Sequence, residues 1–162
     1  MKQDRFLLGI LVGIALLIII SLAVFFIRQD PLTYVADDTP EGVVRNYVIA
    51  IYKRDYQKAY GYLAEDKDKP NYDSFRESFI NGMVYPEGAG IEIGSVEKTA
   101  EGEAVVSVSV VYRSGDPFSS GYRNTDRAVL INQGGGWKLK QMPSGNFWNW
   151  EWYQVTAMPA KP

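Results

Sequence analysis

Histidine and cysteine, which often act as catalytic bases, nucleophiles and zinc ligands, are missing from this chain of 162 residues. Their absence excludes Ser–His and Cys–His nucleophilic pairs and an ordinary zinc site. Glu101 and Glu103 flank a glycine, and Asp66 and Asp68 lie in a second charged stretch. Such pairs could bind calcium weakly, but solvated turns explain them better. We therefore expect no metal and no cofactor.

The sequence does not support a phosphate-binding loop or a nucleic-acid-binding surface either. The three glycines at 134–136 lack the following helix and the Gly-Lys-Ser/Thr pattern of a phosphate loop, so they indicate a hairpin turn. The chain has a formal net charge of −2 and no basic stripe. Because nucleic-acid binding depends on Lys and Arg that release counterions from phosphates, we expect no nucleic-acid partner.

An alternating set of tryptophans near the C-terminus is the strongest unusual feature. Trp148, Trp150 and Trp152 are flanked by Phe147 and Tyr153. In a strand, all three indoles would face one side and would cover the sheet or close the mouth of the domain. Two alternatives remain: a partner-binding or ligand-binding patch, or insertion into the headgroup region of a membrane. We expect at least one tryptophan to be buried and at least one to be exposed.

The elements that position these residues begin with helices. Thr39-Pro40-Glu41 predicts a helix start, since Thr can cap, Pro suits the first turn and Glu suits the positive end of the helix dipole. Asp55 is predicted to cap a second helix and Asp73 a third.

Strands are predicted to follow the helices. Beyond residue 91 the apolar period changes to alternation, which predicts strands near 91–93, 106–112, 122–132 and 137–142, and a further strand in the tail. Helices followed by an antiparallel meander indicate an α+β domain. Its predicted core consists of Val44, Tyr47, Val48, Ile51, Leu63, Phe79, Val106, Val108 and Leu130.

The string TPEGVVRNYVIAIYKRDYQKAYGYLAED, residues 39–66, resembles the opening helices of nuclear transport factor 2-like domains. That superfamily includes ketosteroid isomerase and SnoaL-like enzymes. The string GWKL at 136–139 resembles its final strands. The resemblance covers Thr39 to Met142 and implies a cone, in which a curved sheet wraps the long helix and encloses a pocket.

The resemblance also places Tyr47 where ketosteroid isomerase keeps an oxyanion-hole tyrosine, which makes it the candidate pocket residue. The same spacing puts the catalytic base at Asn71, and an amide cannot abstract a proton. We therefore interpret Tyr47 as a core residue with a satisfied hydroxyl and expect the protein not to be an enzyme. A small-ligand or isomerase-like pocket protein is the alternative.

An uncharged apolar run from Phe6 to Ile27 precedes the domain. Its 22 residues would form a helix of about 33 Å, enough to cross a hydrocarbon core of about 30 Å. Ser21-Leu22-Ala23 resembles a signal-peptidase site, but the residues after it are again apolar, which favours an uncleaved anchor. Gly9 and Gly13 form a Gly-x-x-x-Gly pair that could be a dimer face, or could reflect the frequency of glycine in membrane helices.

Flanking charges predict the orientation. Lys2 and Arg5 precede the run, and acidic residues at 30, 37 and 38 outnumber Arg28 after it, which places the N-terminus in the cytoplasm. The expected organisation is a cytoplasmic N-terminus (1–5), a transmembrane helix (6–27), a linker (28–38) and an extracytoplasmic domain (39–162). Besides the bilayer, the expected partners are a protein of the cell envelope and a second copy through the anchor. The predicted role is a non-catalytic binding or assembly module.

Overall fold

The computed structural model describes residues 5–28, 32–99, 102–112 and 121–153. The chain divides into two compact units, Met1–Thr33 and Tyr34–Pro162. Several predictions fall outside the described residues: the loop at 113–120, Glu101 in the glycine turn, and the orientation residues Lys2 and Asp30.

The first unit contains helix α1, Arg5–Arg28. Side chains from Leu7 to Phe26 are all exposed, and this stretch has a mean hydropathy of 3.1. A helix that is apolar all round is suited to lipid rather than to water. Its length and composition allow it to cross a membrane, although a signal sequence near an N-terminus has the same properties. Open space lies beside both Gly9 and Gly13, and the dimer face stays a prediction.

The second unit begins with three helices, α2 (Pro40–Tyr52), α3 (Tyr56–Gly61) and α4 (Tyr72–Ile80). The predicted start of α2 is confirmed: the Thr39 side chain accepts a hydrogen bond from the Gly42 N–H, and Pro40 opens the first turn. Asp55 caps α3, as predicted. The prediction of Asp73 as the cap of α4 is wrong, because the helix starts earlier and the Asn71 side chain accepts from the Ser74 N–H.

Four antiparallel strands follow in the order β1-β2-β3-β4. They are β1 (Ala89–Lys98), β2 (Glu103–Tyr112), β3 (Arg123–Gln133) and β4 (Gly136–Gln141). The α+β prediction is confirmed. A hairpin turn at 134–135 joins β3 to β4, and both glycines there have positive φ, a conformation that other residues rarely adopt. The predicted further strand in the tail is wrong, since residues 142–153 form only turns and irregular backbone.

One face of the sheet packs against the helices. In β2 every second residue from Ala104 to Val110 is buried, which matches the period of a strand with one covered face. All nine predicted core residues are buried: Val44, Tyr47, Val48, Ile51, Leu63, Phe79, Val106, Val108 and Leu130.

The segment before α2 is fixed to the domain by a buried amide. The Asn46 Oδ1 accepts from the Val35 N–H at 2.8 Å, and the Asn46 Nδ2 donates to the Val35 carbonyl at 2.8 Å. The side chain thus pairs with the backbone as a neighbouring strand would. Gly42 is required beside it, because a Cβ there would lie 2.2 Å from the Ala36 carbonyl oxygen.

Candidate functional site

The aromatic tail, residues 147–153, fills the interior between the helices and the sheet. Phe147, Trp148 and Trp152 are buried in the same core cluster as Tyr47. The Tyr47 hydroxyl donates to the Phe147 carbonyl at 2.7 Å, and the Tyr47 ring contacts Trp148 edge to face, with centroids 6.0 Å apart. The space around the candidate pocket tyrosine is therefore occupied by the chain itself.

Trp152 completes an aromatic cluster with helix α4. Its ring centroid lies 4.9 Å from that of Phe75, 6.0 Å from that of Phe79 and 4.8 Å from that of Trp148. Centroid distances in this range are typical of favourable aromatic pairs, each of which adds about 0.5–1.5 kcal/mol beyond the burial of its area. The tail is consequently held by packing on both α2 and α4.

An isomerase-like site would need a tyrosine with a free hydroxyl at Tyr47 and a base at Asn71, and neither is available. Burial, and to a smaller extent Tyr153, raise the pKa of Tyr47 well above its ordinary value. The hydroxyl therefore stays protonated, and its hydrogen bond is donated to the Phe147 carbonyl. Asn71, at the position that the resemblance assigns to the base, is used as the cap of α4. A tyrosine whose donor is already satisfied cannot stabilise an enolate, and an amide cannot supply the base.

Tyr153 closes the tail against the helical layer. Its hydroxyl donates to the Ala64 carbonyl at 2.6 Å, and its ring stacks on Trp148 with an interplanar angle of 13°. Burial, followed by the negative charge of Glu65, raises the pKa of Tyr153 above its ordinary value. Tyr153 is therefore fixed in its neutral form over the buried Trp148.

The three tryptophans differ sharply in exposure: 3% for Trp148, 6% for Trp152 and 55% for Trp150. Trp150 lines a groove of about 350 Å³, the Trp150 groove. It is lined by Glu103, Asp126, Val129, Lys140, Gln141, Met142, Ser144, Trp148, Trp150 and Tyr153. Within the described part of the chain, the Trp150 indole has no ring contact and no hydrogen-bond partner.

Larger depressions lie elsewhere in the domain. A groove of about 460 Å³ is bordered by Tyr52, Tyr85 and the ends of α2 and α4, and Arg54 and Glu87 form a 3.5 Å ion pair beside it. A third, of about 610 Å³, lies between the segment at 37–38 and the hairpin turn at 135–136.

Sequence reasoning missed two residues that shape this region, Phe147 as the acceptor for Tyr47 and Asn46 as the clamp on Val35. The Asn46 signal was readable, since a polar side chain on an apolar helical stripe must find a partner. No comparable signal existed for Phe147, because the acceptor is a backbone carbonyl in an irregular segment.

No family model and no curated protein matches the chain. Among solved structures, it is similar to a SEC-C motif containing protein from Rhodopseudomonas palustris, with 14% identity, 66% of this chain and 79% of that chain covered, and a TM-score of 0.47. It is also similar to a Campylobacter jejuni protein provisionally named an NTF2-like transpeptidase, with 14% identity, 62% and 96% coverage, and a TM-score of 0.42.

Proposed function

We propose that this chain is a single-pass membrane protein that carries a nuclear transport factor 2-like domain outside the cytoplasm as a non-catalytic binding or assembly module. The observation that carries the proposal is the filled interior: the Tyr47 hydroxyl donates to the Phe147 carbonyl, and Trp148 and Trp152 are buried beside it. A domain whose interior is closed by its own tail must act through its surface.

The anchor and its orientation rest on the sequence and on α1. The helix is exposed and apolar over Leu7–Phe26, and basic residues precede it while acidic residues dominate after it. The bilayer is the proposed partner of residues 6–27. A dimer through Gly9 and Gly13, and an envelope protein bound by the domain, are further proposals of the same account.

The alternative is a pocket protein of the isomerase or SnoaL type. It requires the tail, residues 147–153, to move out of the interior. Opening the interior would break the Tyr47 hydrogen bond and expose Trp148 and Trp152 to water. Burial of a large aromatic side chain contributes about 1.5–3 kcal/mol, so an opening of this kind would be unfavourable by several kcal/mol without a compensating ligand. The closed binding module is the better account.

Extraction of membranes tests the anchor. After a wash with alkaline carbonate, we expect the full chain to stay in the membrane pellet and to be released only by detergent, because the apolar surface of α1 is solvated by lipid. A variant that begins at Leu32 is the matched control and should appear in the soluble fraction. Release of the full chain by carbonate alone would contradict the anchor.

A further inference from the structure

The Trp150 groove combines the exposed Trp150 ring with the partly exposed ring of Tyr153, which is held in place by its hydrogen bond to Ala64. Trp150 is more than half exposed, whereas the neighbouring Trp148 and Tyr153 are stacked on each other and held by the core. An exposed tryptophan loses little side-chain entropy when a ligand packs on it, since it has only two side-chain torsions. The Trp150 ring is therefore accessible, and a ligand that packs on it loses little free energy to side-chain ordering.

Side chains that donate and side chains that accept hydrogen bonds both line the Trp150 groove. Glu103 provides hydrogen-bond acceptors, Lys140 provides donors, and Gln141 and Ser144 provide both. None of these four side chains has a hydrogen-bond or ion-pair partner within the described residues, and Glu103 and Lys140 do not pair with each other. Lys140 lies at the register shift between β3 and β4, and such bulges redirect side chains toward binding surfaces.

The chemistry of the lining narrows the class of ligand. Two carboxylates, Glu103 and Asp126, against the single ammonium of Lys140 disfavour a phosphate or another anion. The charged surroundings also disfavour a purely apolar chain. A peptide strand would need a free sheet edge, but at β4 the Leu139 N–H donates to the Tyr62 carbonyl and the Leu139 carbonyl accepts from the Ala64 N–H, both at 2.8 Å.

We propose that the Trp150 groove binds a neutral oligosaccharide, with one sugar ring stacked on the Trp150 indole. Each sugar hydroxyl both donates and accepts, which matches a lining that contains carboxylates, an amide, a hydroxyl and an ammonium. The C–H face of a pyranose carries a small positive charge and packs on the negative face of the indole. The inference rests on the proposed function, because it names what a surface-acting domain outside the cytoplasm would bind.

Saturation-transfer NMR on the full chain in lipid nanodiscs tests this proposal. The probes are two neutral β-1,4-linked tetrasaccharides, one of glucose and one of N-acetylglucosamine, and the nanodiscs are prepared without sugar-based detergents. We expect saturation transfer to at least one probe, with the strongest effect on the C–H protons of one ring. Empty nanodiscs give the background.

Three variants locate the binding. Trp150→Ala should weaken affinity at least tenfold, Trp150→Phe should keep it within about threefold, and Glu103→Gln should lower it by about three- to tenfold. Tyr85→Ala is the matched control, because Tyr85 is also more than half exposed but lies at another groove. This variant should bind as the wild type does. All variants should melt at the wild-type temperature, because Trp150 and Tyr85 are exposed and Glu103→Gln keeps the size and shape of the side chain.

Each other outcome has a defined meaning. Absence of saturation transfer from both probes at millimolar concentration, or unchanged affinity in Trp150→Ala, would overturn the saccharide site. Binding to phosphatidylglycerol vesicles that depends on Trp150, without a saccharide signal, would also overturn it and assign the residue to the membrane. New saccharide resonances that appear with time would instead contradict the non-catalytic function, while leaving the binding site in place.

Discussion

The Trp152→Ala variant is expected to lose about 3–5 kcal/mol of unfolding free energy, the range for truncation of a buried large aromatic side chain. Trp152 contacts Phe75, Phe79 and Trp148, so its removal leaves a cavity where α4 and the tail meet. The melting temperature should fall by roughly 10–20 °C. Thermal unfolding of a soluble fragment beginning at Leu32, followed by circular dichroism, measures the change.

The neighbouring tryptophans provide controls within the same segment. Trp148→Ala should cost about as much as Trp152→Ala, since Trp148 is buried between Tyr47 and Tyr153. Trp150→Ala should change the unfolding free energy by less than about 0.5 kcal/mol, as is usual for a surface substitution. A large loss at Trp150 would contradict the exposure of that residue, and small losses at Trp148 and Trp152 would contradict the filled interior.

The Val48→Asp variant is expected not to fold. Val48 is 2% exposed on the face of α2 that belongs to the core cluster. A carboxylate there would be buried without a partner, which costs several kcal/mol, comparable with the whole stability of a small domain of about 5–15 kcal/mol. Val35→Asp is the matched control: its side chain is 42% exposed, so the fold should survive.

Dispersion of the backbone amide resonances distinguishes the two variants. Narrow dispersion and loss of a cooperative melt are expected for Val48→Asp, and a wild-type spectrum is expected for Val35→Asp. A cooperative, soluble Val48→Asp domain would show that α2 presents a different face to the core. The fragment for these measurements must include Val35, because a chain that begins at Ala36 would leave the buried Asn46 amide without its backbone partners.

Local signals predicted the helical half and the sheet well. The Thr39 cap and the following proline fix the start of α2 independently of the rest of the chain, and the apolar period then identifies which side of the helix is buried. In β2 the strict alternation from Ala104 to Val110 served the same purpose. Both patterns arise because one side of a helix or strand is buried. They can therefore be recognised without knowing which element packs on that side.

The tail could not be predicted in the same way. Alternation of three tryptophans fits a strand, but here Trp148 and Trp152 reach the core from a run of turns, while Trp150 points away. A turn bond from the Trp152 N–H to the Asn149 carbonyl bends this run, and Trp148 and Trp152 both belong to the core cluster. Tertiary packing on Tyr47 and Phe75 overrides the local period, and no pattern within the tail encodes that packing.

The cap of α4 shows a smaller limit of local reasoning. Asn71 and Asp73 are both good capping residues two positions apart, and Asn71 caps the helix. Asp73 remains in the first turn, where its charge still favours the helix dipole. The interpretation of Tyr47 as a core residue with a satisfied hydroxyl is confirmed. Its signal in the sequence was the amide of Asn71 at the position where an isomerase would need a base.

Protease treatment of intact spheroplasts, followed by mass spectrometry of the membrane fraction, tests the central claim of an anchored domain outside the cytoplasm. We expect peptides of the domain to disappear without lysis, and a membrane-bound remnant that contains residues 6–27 to remain. Domain peptides that survive until the cells are lysed would reverse the orientation. A mature chain that begins at Val24, with no membrane-bound remnant, would show that the apolar run is a cleaved signal sequence and would contradict the account.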